Sequence, residues 1–104
     1  MLKDIFSNYG EIYWEMPDVG TAYPFFTIQG NVSIDNAIWH GDLELNLWHN
    51  ENPEEIIYNL MDEQNFKRID GNNWIHGSIR QIGDTISIDE DITNTLIRIY
   101  FKGV

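Results

Sequence analysis

The chain has no cysteine, three prolines and only six lysines and arginines in 104 residues. Without cysteine it can form no disulfide, no thiolate metal site and no cysteine nucleophile, and the absence fits a reducing compartment. No apolar run approaches the ~20 residues that a membrane-spanning helix needs. The N-terminal segment MLKDIFSNYG lacks the apolar stretch and small-residue cleavage site of an export signal, so a cytoplasmic location is expected. The scarcity of basic residues matters most. Seventeen Asp and Glu stand against the six Lys and Arg, giving a formal net charge of -11 and a pI near 4.3. Such a field repels nucleic acid and anionic membranes, and it attracts and steers basic proteins. The expected partner is therefore a basic protein, with no nucleic acid and no membrane, although acidity also serves solubility.

What is present is the composition of a folded protein: 42% hydrophobic residues, with four Trp, five Tyr and five Phe. Disordered chains are poor in aromatics. The length fits one domain over 1–104 and leaves no room for a second core. Surface scaling predicts that about two-thirds of the unfolded chain's surface is buried, enough for a core without staples.

Periodicity sorts the chain into elements. Leu2, Ile5, Phe6 and Tyr9 recur at helical spacing before Gly10, predicting a short N-terminal helix. From Glu11 the pattern alternates, with Ile12, Trp14 and Met16 on one face until Pro17 ends an edge strand. Phe26, Ile28, Val32 and Ile34 mark a second strand, with Gly30 as a bulge position. After a turn near Asp35 and Asn36, Leu43, Leu45 and Leu47 face one way and Asp42, Glu44, Asn46 and Trp48 the other.

Asn52, Pro53 and Glu55 then form a helix start, the asparagine capping, the proline in the first turn and the glutamate reaching back to the cap amide. Ile57, Leu60 and Met61 make its apolar stripe. Turn signals at 70–73 and at Gly83 and Asp84 divide the remainder into strands over 74–82, 85–89 and 95–102. Ile75, Ile79, Ile86, Ile88, Ile97, Ile99 and Phe101 are the inward candidates. The fold class is α+β: an antiparallel sheet of about five to six strands, with a short N-terminal helix and one central helix packed on it.

Catalytic and metal chemistry find little support. His40, His49 and His76 lie in different places along the strands, so no metal site is expected. An EF-hand loop starting at Asp89 needs Gly at its sixth position and Glu at its twelfth, where this chain has Asn94 and Tyr100. The acidic run Asp89, Glu90, Asp91 reads instead as a solvated turn between strands. There is no nucleophile elbow, phosphate-cradling loop or GxGxxG. The chain is read as a non-enzyme with no catalytic residues and no cofactor.

The outward faces are more informative. Asp42, Glu44 and Trp48 share the polar side of the third strand, with Trp39 just before it and Glu51, Glu54, Glu55, Asp62 and Glu63 after it. Aromatic anchors among carboxylates are what an interface for a basic partner needs, since buried rings supply affinity and charges orient the encounter. Burial of Trp39 or Trp48 beneath the helix is the structural alternative. A second outward set, Trp74, His76, Arg80, Arg98, Tyr100 and Lys102, is locally basic. Either cross-strand pairing with carboxylates or a second binding surface accounts for it.

A small, acidic, cysteine-free α+β domain with tryptophan among carboxylates from Trp39 to Glu55 resembles the immunity proteins of bacterial toxin systems, including contact-dependent growth inhibition. The resemblance is one of profile over the whole chain, with no diagnostic motif, and no site residues follow from it. It implies a cytoplasmic inhibitor that binds and neutralises a cognate basic toxin, often a nuclease. Two other readings stay open: a phage-type anti-restriction protein that imitates DNA phosphates, and a small hydrolase using paired carboxylates.

Overall fold

The computed structural model describes residues 6–62 and 65–104. Six strands form one sheet: β1 (Glu11–Tyr13), β2 (Phe25–Asp35), β3 (Ile38–His49), β4 (Asn65–Asp70), β5 (Asn73–Asp89) and β6 (Ile92–Gly103). A helix, α1 (Glu54–Met61), lies between β3 and β4. The spatial order is β1-β2-β3-β6-β5-β4.

The sheet is mixed, which corrects the purely antiparallel expectation. Five strands pair antiparallel, but β1 runs parallel to β2, with Glu11 opposite Phe25 and Tyr13 opposite Thr27. A parallel neighbour requires the chain to return to its starting end, and residues 14–24 make that return. β1 is accordingly short. Ile12 is buried, whereas Trp14 and Met16, expected on the same face, lie in the return segment and are exposed.

Two-residue turns set the hairpins. Asn36 and Ala37 both have positive φ, 51° and 65°, which matches the right-handed twist of β2 and β3. The β2–β3 register then runs unbroken from Phe25 opposite Trp48 to Asp35 opposite Ile38, so Gly30 is not a bulge. Gly71 and Asn72 connect β4 to β5 within the expected turn at 70–73.

The 74–89 region departs from its expected division. Gly83 and Asp84 do not turn the chain. They fall in a register shift between Ile82 and Thr85, one of three such irregularities along β5, which therefore continues as one 17-residue strand. The strand before the 70–73 turn, β4, carries a single buried apolar residue, Phe66, in a charged stretch and shows no alternation.

Residues 2–5 of the helix expected over 2–9 lie outside the described residues; within them, Phe6 is helical and Tyr9 donates its amide to Phe6 O (2.9 Å). One helix, α1, is defined among the described residues, rather than two. The N-cap is Pro53 rather than the expected Asn52, and no side chain caps it; the Asn52 carboxamide oxygen accepts the Glu54 amide (3.0 Å) from one residue before the cap. The Glu55 carboxylate makes no reciprocal bond.

One face of the sheet meets the helix. Phe26, Ile28, Leu43, Leu45, Leu47, Phe66, Ile75, Ile97 and Ile99 form a core with Leu60 of α1, Phe6 and Ile12. Each fully buried Leu, Ile or Phe stabilises the fold by about 1.5–3 kcal/mol. Ile57 and Leu60 pack as expected, whereas Met61 ends the helix and is exposed, and Ile56 packs in its place. Val32 and Ile34 are also exposed, because they sit near the end of β2, beyond the core beneath the helix; Ile86, expected to face inward, is exposed because the register shift between Ile82 and Thr85 turns it to the outer face opposite Asn94, and Ile88 is exposed near the end of β5. No described element covers the opposite, outer face.

Candidate functional site

Strand alternation decides where the expected interface residues go. β3 is unbroken by bulges, so odd positions face the core side and even positions the outer side. Trp39 and Trp48 are nine residues apart and therefore lie on opposite faces, about 30 Å apart along the strand. They cannot share one surface. Trp39, 47% exposed, stands on the core side beyond the helix, near Ile34 across the β2–β3 pair.

Asp42 and Glu44 lie mid-strand on the outer face. Glu44 is already engaged: Arg98 of β6 pairs with it at 3.0 Å, and Gln29 of β2 donates to its other oxygen at 2.9 Å. A half-exposed pair of this kind contributes about 0.2–1 kcal/mol, and it cancels the charge a partner would read. Asp62 closes the far end of α1, about 12 Å from the helix start. Glu63 lies outside the described residues.

The other members lie at one end of the sheet, although Glu55 lines a separate cavity with Tyr9, Gly10 and Pro24. Trp48 sits on the outer face at the end of β3, where its ring stacks on Phe25 (centroids 6.5 Å, interplanar angle 22°) and its indole N–H donates to Thr27 Oγ1 (2.9 Å). Tyr13 and Tyr23 pack edge-on and tilted against Phe25, at 5.9 and 5.2 Å. Immediately after Trp48 the chain leaves the sheet and enters α1, which places Glu51, Glu54 and Glu55 at this same end.

Register adds two carboxylates the sequence reading did not assign to the site. His49 pairs with Thr93, so the β5–β6 turn lies beside the start of α1. Glu51 and Glu54 line one side of a surface cavity of about 490 Å³, and Glu90 and Asp91 the other, with Thr85, Thr93, Asn50, Asn52 and Pro53 between them. Asp91 N donates to Asp89 Oδ1 (3.0 Å), which shapes the turn. On the outer side of the same end, Ile86 is level with Asn94 and Trp48 and is half exposed.

Acid and aromatic thus occupy the same end of the sheet from its two sides, the cavity on the core side with Thr85 and Thr93 and Trp48 on the outer face. The acidic run at 89–91 was visible as a turn; its adjacency to Glu51 depends on the order β3-β6-β5, which no local pattern encodes. No group of three or more histidines and carboxylates converges in a metal-binding arrangement among the described residues.

No family model, curated protein or solved structure matches this chain. No helix of the described residues is long and apolar enough to cross a membrane.

Proposed function

We propose that the chain is a cytoplasmic immunity-type inhibitor that docks a basic toxin domain, a nuclease by class, on the acidic end of its sheet. The observation that carries the reading is the convergence of Glu51 and Glu54 with Glu90 and Asp91 around one cavity, from segments almost forty residues apart. Four carboxylates on one rim of a chain with net charge -11 form a steering field for a cationic surface.

Trp48 supplies the anchor. It is fixed by Thr27 and Phe25 before any partner arrives, so little side-chain entropy is lost on binding. Exposed Ile86, level with Trp48 across Asn94, extends the apolar ground beside it.

A DNA-mimicking inhibitor fits less well. Imitating a phosphate track requires carboxylates spread along an elongated face, and the outer face here carries Lys67, His76, Arg98 and Lys102.

The test is inhibition of a basic nuclease domain encoded beside this chain. Activity should fall to zero at one equivalent of inhibitor. The variant Glu51→Lys/Glu54→Lys/Glu90→Lys/Asp91→Lys, shown to be folded by its thermal transition, should lose most of the inhibition. Full nuclease activity at stoichiometric inhibitor contradicts the proposal, as does a charge-reversed variant that inhibits equally well.

A further inference from the structure

The opposite end of the outer face carries the reverse chemistry. Lys67 of β4 is in register with His76 of β5, His76 with Lys102 of β6, and Lys102 with His40 of β3. Adjacent strands are about 4.8 Å apart, so these four side chains form a row about 14 Å long across the sheet.

Like charges set directly opposite one another destabilise a sheet. A chain with seventeen carboxylates and six Lys and Arg could relieve that cost by pairing each cation. Here it does so for Arg98, through Glu44. No carboxylate of the described residues lies within ion-pair distance of Lys67, His76 or Lys102. His40 is engaged through Nδ1 with the Tyr100 hydroxyl (3.2 Å), and the Arg80 guanidinium lies 5.0 Å over the Tyr100 ring, so the middle of the face is occupied and the row's outer part is free.

Next to this row the β4–β5 pair places Ile69 opposite Trp74 on the same face. Ile69 is 65% exposed, an apolar side chain left in water beside an indole. Lys67, Ile69, Trp74, His76 and Lys102 together line a surface cavity of about 460 Å³. That volume falls within the ~300–1,000 Å³ typical of small-molecule sites.

We propose that this cavity binds a small aromatic carboxylate. The two ammonium groups and the imidazole take the carboxylate, and Trp74 with Ile69 takes the ring face. The ligand is compact, because a polyanion extending from the row toward β2 meets Asp42 and Asp35 on the same face and the chain's overall negative field. It carries a ring, because a bare anion leaves Ile69 and Trp74 uncovered. The site is separate from the acidic end, on the far side of Glu44 and Arg98.

The test is a titration of the isotopically labelled chain followed by NMR, with 2-naphthoate as probe and 2-naphthylmethanol and inorganic phosphate as comparisons. Naphthoate should give saturable shifts in the amides of residues 67–76 and 102 and in the Trp74 indole, with Kd in the millimolar range or below. Naphthylmethanol, which lacks the charge, and phosphate, which lacks the ring, should each bind at least about tenfold more weakly. Lys67→Gln/Lys102→Gln should weaken naphthoate at least about tenfold with the rest of the spectrum unchanged, and the four charge reversals at the acidic end should leave its affinity intact. The proposal is overturned if naphthoate gives no saturable shift up to about 10 mM, if naphthylmethanol binds as tightly as naphthoate, or if the shifts fall outside this cavity.

Discussion

Trp48 donates its indole N–H to Thr27 Oγ1 across the β2–β3 pair, at 2.9 Å. The two residues are diagonal neighbours on the outer face, since Trp48 is directly opposite Phe25. The bond satisfies the indole's one donor and fixes the ring over Phe25, so the most prominent aromatic at the acidic end is held in one orientation.

Trp48→Ala should weaken binding of the proposed basic partner by about 2 kcal/mol or more, roughly thirtyfold in Kd. Trp39→Ala, on the other face and at the other end of β3, should change it by less than about 0.5 kcal/mol. Calorimetric titration of both variants checks this, and equal losses for the two would contradict the placement of the interface.

A buried polar group sits beside this anchor. Asn94 lies directly opposite Trp48 and Ile86, is 9% exposed, and its Nδ2 has no hydrogen-bond partner among the described residues. An unmade bond at a buried donor costs about 1–3 kcal/mol, whereas a β-branched side chain suits a strand. Asn94→Val is therefore expected to leave urea stability unchanged or raise it by up to about 1 kcal/mol. A loss above 1 kcal/mol would mean that the carboxamide finds a partner in solution.

Two glycines of β5 should respond differently to the same change. A Cβ on Gly77 would collide with the Tyr100 carbonyl oxygen and with the ring of Phe66, which is itself buried and has nowhere to go. Gly83 faces only the Leu96 carbonyl oxygen at 3.4 Å and the Leu96 Cβ at 3.7 Å. Gly77→Ala is expected to cost about 1–3 kcal/mol, as overpacking does. Gly83→Ala should stay within about 0.5 kcal/mol of the parent, as surface changes do. Denaturant midpoints at constant slope measure both.

How much of this was readable beforehand follows from what each element encodes locally. The alternation of Leu43, Leu45 and Leu47 and the helix start near Asn52 are short-range signals, and the structure contains both, with the N-cap one residue later at Pro53. β1 turned parallel because a return loop, not a pattern in residues 11–16, sets its direction. β4 gives no local strand signal, because Lys67 and Arg68 mask the single inward Phe66. Gly83 and Asp84 carry turn chemistry, but a bulge uses the same residue types, and only pairing with β6 distinguishes the two. The interface was half legible. Trp48, Glu51 and Glu54 are close in sequence and close in space, whereas Glu90 and Asp91 reach them through strand order. Trp39 was misplaced because a nine-residue spacing inverts the face of a strand, an argument that needs the register to be continuous.

Electrostatic docking at the acidic end is tested most directly by the association rate of the chain with the proposed basic nuclease domain. Measured by stopped-flow fluorescence between about 20 and 200 mM salt, the rate should fall about tenfold or more, and the four charge reversals at Glu51, Glu54, Glu90 and Asp91 should flatten that dependence. A rate that does not change with salt, or a dependence equally steep in the charge-reversed variant, would contradict it.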